Sequence, residues 1–371
     1  MNDIQTRFEH CAAVAREHAA RVDKEGRFPS EAIEAIRERG LFGLLSAKEV
    51  GGLGGTLRDA ALGIRTLATA CASTAMVTCM HFAGASVIEK FGRRPEREAV
   101  ARGEHLSTLA FSEAGSRSHF WAPMSTAKPA GSGFVLDADK SWITSASHAT
   151  AYVWSSKPVS AEGASTLWLV PRTAPGLTVT RAFDGLGLRG NDSAPVQARG
   201  VGVEGAAMLG EDGKGFDVMM GVVLPAFNVM NAATSIGLME ESVRLVAAHA
   251  GATRYENAGM SVRDFPTARA SIARMRVRCD MAATLWLDTL AALEAGREDA
   301  QLRVLECKAA CNDAALEVLD LAMRVAGGAA FRRDVPVERF FRDARAGSIM
   351  APTSDVLYDF IGKAATGLPL F

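Results

Sequence analysis

The hydrophobic and polar positions of this chain fall into three textures, in order. Residues 3 to 24 are Ala-rich with mixed charge and few breakers, which predicts a helix. Pro29-Ser-Glu31 opens a second helix that ends at Gly40. Thr56 to Phe91 carries two more, with Gly92 as a cap, and Pro95 starts a short fifth. Residues 1–105 therefore read as an all-helical domain. From Leu106 the segments shorten, with Gly, Ser and Pro between them. Leu106 to Glu113, Phe134 to Leu136, Lys140 to Ser145, Ala151 to Trp154, Thr166 to Val170 and Leu177 to Thr180 read as strands of a small β domain, 106–205. Long helices return from Lys214 and fill 206–371. One helix face runs through Leu302, Leu305, Ala309, Asn312, Leu316, Leu319 and Met323. It is apolar except for Asn312 and suits a bundle or a subunit interface. Gly327-Gly328 ends that helix, Val335 to Asp343 starts the next, and Val356 to Ala365 is the last. The class is α+β.

The chemistry is densest between Leu106 and Ser145. Trp142 and Thr144 stand two apart on an expected strand, so both should face the same way. An indole beside a hydroxyl could pack on a flat heteroaromatic cofactor and bond one of its ring nitrogens. It could equally be a core Trp with a satisfied Thr. Two glycine motifs carry less. Gly51-Gly-Leu-Gly-Gly55 lacks the Lys-Ser/Thr of a phosphate loop and reads as a flexible turn. Gly185-Leu-Gly-Leu-Arg-Gly190 fits a dinucleotide pattern, but Asn191 to Pro195 reads as loop where the helix should begin.

Composition narrows the field. The 371 residues are 48% hydrophobic with a net charge of −1, which points away from nucleic acid and anionic membranes. The start lacks a signal peptide layout, and no apolar run reads as a membrane span. The six Cys include no CxxC pair and read as reduced, mostly buried thiols of a cytoplasmic protein, with no metal site.

With these blocks in order, the chain resembles the acyl-CoA dehydrogenase family along nearly its whole length. The resemblance rests on Leu41-Phe-Gly-Leu with Gly51-Gly-Leu-Gly54, Leu109-Ala-Phe-Ser-Glu-Ala-Gly-Ser-Arg-Ser118 and Asp139-Lys-Ser-Trp-Ile-Thr144. Leu186-Gly-Leu-Arg189, Leu209-Gly-Glu-Asp-Gly-Lys-Gly215, Ala326-Gly-Gly328 and Pro336-Val-Glu-Arg-Phe-Phe-Arg-Asp343 complete it. It implies an N-terminal helical domain, a middle β-barrel or sandwich and a C-terminal four-helix bundle. It also implies FAD as cofactor, with Phe111 and Ser112 on the pyrimidine edge, Trp142 packed on the ring and Thr144 bonded to N5. The pyrophosphate would be held across a subunit boundary by Arg254, by Arg324 (where relatives carry Gln) and at Gly327 and Gly328. Thr353 and Asp355 would contact the nucleotide. Ser118 would meet the pantetheine or phosphate end of an acyl-CoA or acyl-carrier-protein thioester. An electron-transfer flavoprotein as acceptor and a homodimer or homotetramer are implied as well.

The departures concern the base. The position of the family's catalytic Glu is Ala351, followed by Pro352. The alternative base and its neighbouring substrate-facing Arg fall on Phe227 and Asn228. Both carboxylate positions are empty. A base is worth about two to four orders of magnitude in α-proton abstraction. The Ala351 N–H could still stabilise charge on the thioester oxygen, because Pro352 removes only its own donor. Glu240, Glu241 and His81 are the nearest candidate bases, though surface charges and a packed His would account for them equally. The expected activity is α,β-dehydrogenation of an acyl thioester with a moved or missing base. A flavin-dependent hydroxylase of the same fold, an inactive subunit of a heteromer and a non-enzymatic binding protein remain as alternatives.

Overall fold

The computed structural model describes residues 3–116 and 119–370. Five helices open the chain: α1 (Asp3–Glu25), α2 (Ser30–Glu38), α3 (Leu57–Ala68), α4 (Ala72–Phe91) and α5 (Arg94–Ala101). Thr56 and Asp59 start α3 with a reciprocal capping box, in which the Asp59 N–H reaches the Thr56 hydroxyl at 3.2 Å and the Thr56 N–H reaches the Asp59 carboxylate at 2.9 Å. The Gly51–Gly55 turn is tightly bonded rather than flexible. The N–H groups of Gly52, Leu53, Gly54 and Gly55 donate to the carbonyls of Ala47, Gly43, Ser46 and Leu44, which uses up the donors a phosphate would need.

Seven strands follow: β1 (Ser107–Ala110), β2 (Thr126–Ala130), β3 (Gly133–Ile143), β4 (Ala151–Ser156), β5 (Thr166–Pro171), β6 (Leu177–Val179) and β7 (Ala194–Glu204). They form one sheet in the order β1-β4-β5 and another in the order β2-β3-β7-β6. Tyr152, Trp154 and Trp168 of the first pack with Leu136, Val196 and Val201 of the second into one core. Three expectations are corrected here. The strands placed at 134–136 and 140–145 are one strand, bent by register shifts between Leu136 and Ala138 and between Lys140 and Ile143. β2 and β7 were not foreseen, because Lys128-Pro129 and Arg199-Gly200 interrupt any alternation. β1 is also shorter than Leu106 to Glu113.

The C-terminal part begins with α6 (Gly215–Val218), which runs through a π-helical turn (Met219–Val223) into α7 (Leu224–Ala252). A short hairpin, β8 (Arg254–Tyr255) and β9 (Met260–Ser261), leads to α8 (Pro266–Ala295), α9 (Ala300–Ala326), α10 (Val337–Ile349) and α11 (Ser354–Ala365). α9 is the hub and packs on α7, α8, α10 and α11. The expectation that no apolar run is long enough to cross a membrane is overturned. Gly215–Ala252 passes by length and composition, with 89% of its most apolar window buried inside the protein. This is a helix surrounded by other helices, and such a helix is apolar on every side.

Asn312, the polar exception on α9, is fully buried, and both its amide nitrogen and its amide oxygen are bonded. Its Nδ2 donates to Asn231 Oδ1 at 3.0 Å, and its Oδ1 accepts from Ser235 Oγ at 2.7 Å. Gly347 of α10 lies so close that a Cβ there would sit 2.2 Å from Asn312 Oδ1. The amide cluster thus ties α7, α9 and α10 together just before the 350–352 loop.

Candidate active site

A buried ion pair carries the β-domain half of the site. Lys140 on β3 and Glu113 beyond β1 are both enclosed, with Nζ 2.5 Å from Oε1. The ammonium also donates to Ser155 O at 2.7 Å and Ser155 Oγ at 3.0 Å. Glu113 Oε2 accepts from the N–H groups of Met124 and Ser125 at 2.7 and 2.9 Å, closing the loop between β1 and β2. Burial pushes the Glu113 carboxyl up, but the Lys140 charge and these donors outweigh it and hold the group below its ordinary value. Burial pulls Lys140 down to about 8 against the opposing pull of Glu113.

This pair brings four of the expected residues together. The Ser141 N–H donates to Ser112 O at 2.9 Å, so Phe111 and Ser112 lie beside the end of β3. Trp142 is 67% exposed with φ 58°, and Thr144 is 3% exposed in the turn after the strand, its Oγ1 3.2 Å from Ser193 Oγ. The left-handed residue at the register shift breaks the alternation, so strand periodicity is not what relates Trp142 to Thr144. An indole left largely in water on a rigid support is unusual in a protein interior's neighbour, and its bare face fits a flat ring. The buried Ser145 hydroxyl lacks a hydrogen-bond partner among the described residues. Phe111 is buried and stacks with Phe120 at 6.3 Å between centroids.

The Gly185–Gly190 loop holds the blocks together and cradles no phosphate. A Cβ on Gly187 would lie 2.5 Å from Arg342 O, and one on Gly190 would lie 2.7 Å from Arg27 O. The Leu188 N–H donates to the buried Asp343 carboxylate at 2.7 Å, and the Gly190 N–H to Ser73 Oγ at 3.2 Å. Burial raises Asp343 to about 6, partly offset by that N–H. Strand β7 follows the loop, not the helix a dinucleotide site requires.

Both empty base positions meet at one residue that sequence reasoning missed. Lys308 of α9 is fully buried, and its Nζ donates to Met350 O at 3.0 Å and Pro352 O at 2.6 Å. These carbonyls flank Ala351. The same Nζ lies 5.8 Å from the centre of the Phe227 ring. Burial alone pushes its ammonium down to about 7. The Ala351 N–H itself has no acceptor among the described residues. The three candidate bases are engaged elsewhere. Glu240 pairs with Arg65 and Glu241 with Arg244. His81 is enclosed, its Nδ1 accepting from the Ser107 N–H at 3.1 Å and its Nε2 donating to Phe42 O at 3.0 Å. Burial drives it down to about 4, so it stays neutral.

The remaining expected residues divide by exposure. Arg254, Arg324, Gly327, Gly328 and Asp355 lie on the surface, with open space at both glycines, and Phe331 beside them is 88% exposed. Thr353 caps α11, its Oγ1 accepting from the Val356 N–H. Asn228 is fully enclosed, with Nδ2 3.4 Å from Val304 O and Oδ1 without a partner among the described residues. It is turned to α9 rather than to an open cleft. Ser118 lies outside the described residues.

Sequence models for the N-terminal, middle and C-terminal domains of acyl-CoA dehydrogenases match residues 5–102, 108–201 and 213–366. A probable acyl-CoA dehydrogenase of Bacillus subtilis is 27% identical over 347 residues, covering 91% of this chain and 90% of its own. Among solved structures, butyryl-CoA dehydrogenase from Megasphaera elsdenii superposes with a TM-score of 0.91 at 22% identity, over 99% of each chain. The prolyl acyl carrier protein oxidase AnaB superposes with a TM-score of 0.88 at 19% identity, over 98% of this chain and 99% of its own.

Proposed function

The chain belongs to the acyl-CoA dehydrogenase family, and on that premise we propose that it is an FAD-dependent oxidoreductase that removes hydrogen from the α and β carbons of an acyl thioester. The observation that carries this reading is the exposed Trp142 face, held beside Phe111 and Ser112 by the buried Glu113–Lys140 pair. FAD, when bound, supplies the acceptor for the two electrons that leave with the β hydrogen. Trp142 holds its ring, with Phe111, Ser112 and Thr144 as edge contacts. Arg254, Arg324, Gly327, Gly328, Thr353 and Asp355 serve its nucleotide half. For the residues on the open surface that role needs a second copy of the chain, as a homodimer or homotetramer. An electron-transfer flavoprotein takes the electrons onward. Six unpaired, buried thiols favour a reducing compartment, the cytoplasm.

At the substrate end the chain keeps one half of the chemistry. The Ala351 N–H, which has no acceptor among the described residues, can donate to a thioester oxygen as negative charge grows there, an effect worth about two to three orders of magnitude in rate. The proton-abstracting half is absent from both Ala351 and Phe227, so α-proton removal is slow or falls to a water. The fold leaves the thioester's carrier open, since a CoA-thioester enzyme and a carrier-protein oxidase superpose about equally well. The missing base also favours a second reading, oxygen activation on reduced flavin, which needs no carboxylate.

The test is an absorbance spectrum of the purified protein, followed by anaerobic titration with short, medium and branched acyl-CoAs and acyl carrier protein thioesters. A yellow protein bleached by one of them supports the dehydrogenase. A yellow protein bleached by none, which hydroxylates a substrate when supplied with reduced flavin and O₂, supports the second reading. A colourless protein removes the dehydrogenase reading and passes to the same assay with reduced flavin and O₂, where inactivity sinks the second reading too.

A further inference from the structure

We infer that Lys308 is the positioning residue for the oxyanion donor of this enzyme: through Met350 O and Pro352 O it fixes and polarises the peptide that presents the Ala351 N–H to a thioester oxygen. The inference rests on the thioester reading above.

In a trans peptide the C=O and N–H lie in one plane and point in opposite directions. Lys308 Nζ donates to Met350 O at 3.0 Å, and the N–H across that same unit belongs to Ala351. The lysine therefore stands behind the peptide, and the N–H points away from it. Donation to a carbonyl draws electron density from the amide, which makes its N–H a stronger donor, and the effect is larger for a charged donor in a low dielectric. The second bond, to Pro352 O at 2.6 Å, grips the far side of Ala351, so the residue is held at both flanking carbonyls. Met350 is also held by its side chain, whose Sδ lies 3.7 Å from Asn231 Nδ2 at the end of the buried amide cluster.

The surroundings make a purely structural lysine an expensive choice. Among the described residues no carboxylate pairs with it, and burial is the cause of its depressed pKa. A helix interior at this place would be at least as well filled by an apolar side chain. What the lysine adds, while it holds its proton, is a charge directed at one peptide. The geometry also argues against Lys308 as the missing base, because its amine lies on the carbonyl side of the Met350–Ala351 unit, opposite the direction of the N–H.

The test uses holoenzyme and crotonyl-CoA carrying ¹³C at its carbonyl. Isotope-edited infrared difference spectra report how far binding lowers the carbonyl stretch. Native protein should lower the band. Lys308→Met should lower it less, with kcat down about ten- to a hundred-fold and KM nearly unchanged on the thioester that bleaches the native flavin. Lys308→Arg, which keeps charge and donors, should recover part of both. If Lys308→Met does not fold, Lys308→Gln serves, an amide donor without the charge, and it should also give a smaller shift than native. Equal shifts in native and variant overturn the role of Lys308 and leave the thioester reading standing. A native protein that leaves the band unmoved overturns both.

Discussion

Among the described residues two lysines are fully buried, and the chain handles them in opposite ways. Lys140 sits against Glu113 with Ser155 O, Ser155 Oγ and Ser125 Oγ in reach, and its charge is neutralised where it stands. Among the described residues Lys308 donates to the two carbonyls that flank Ala351 and faces the ring of Phe227. A paired lysine makes a rigid support, and Lys140 stands on β3 two residues before Trp142, its ammonium over the Trp154 ring. An unpaired lysine puts its whole field on the groups it touches, and here those are the peptides of the 350–352 loop. One lysine holds a surface still, and the other tunes a donor.

The comparison can be broken by removing each lysine. Lys140→Met strands the Glu113 carboxylate without its partner and should cost about 3–5 kcal/mol in a urea unfolding series. Lys308→Met leaves two carbonyls without donors and should cost less, about 1–3 kcal/mol. Equal losses would mean that the two sites are electrostatically alike.

pH sharpens the same contrast. The folded value of Lys308, about 7, is below the ordinary lysine value of 10.5, so above pH 7 the unfolded chain keeps a proton that the folded one has released. Native stability relative to Lys308→Met should therefore rise with pH from about 7 upward, by at most about 1.4 kcal/mol per unit. The same rise relative to Lys140→Met should begin nearer pH 8. Unfolding midpoints at pH 6.5, 7.5 and 8.5 check both.

The smallest stability effects belong to the residues assigned to FAD. Trp142→Ala and Arg324→Ala remove largely exposed side chains and should move stability by about 0.5 kcal/mol or less. Both should lower the flavin-to-protein absorbance ratio after gel filtration. A full flavin complement in Trp142→Ala would remove the platform from the site.

The helices were legible because caps and apolar spacing agree. Thr56, Gly92 and Gly327 all stand at the ends where the sequence puts them. β7 was not legible, since its Gln-Ala-Arg-Gly run sits half in water and offers no alternation. The relation of Trp142 to Thr144 was misread for a local reason: one residue with φ 58° cancels the period of two. Lys308 was invisible because a lysine between two cysteines on a helix reads as its wet side. α9 is buried over a wider arc than the face through Leu305, Ala309, Asn312 and Leu319, since Val304, Cys307, Lys308, Cys311, Ala315 and Val318 are enclosed too. A helix in contact with four others has little wet side left.

On the proposed reading, this chain retains the electrostatic half of thioester dehydrogenation and lacks the base. The most direct test restores the carboxylate, as Ala351→Glu, and measures anaerobic flavin bleaching by a saturating acyl thioester in a stopped-flow instrument. The variant should bleach about a hundred- to ten-thousand-fold faster than native protein. Native bleaching as fast as the variant's would place a base elsewhere in the site, and the claim would fail.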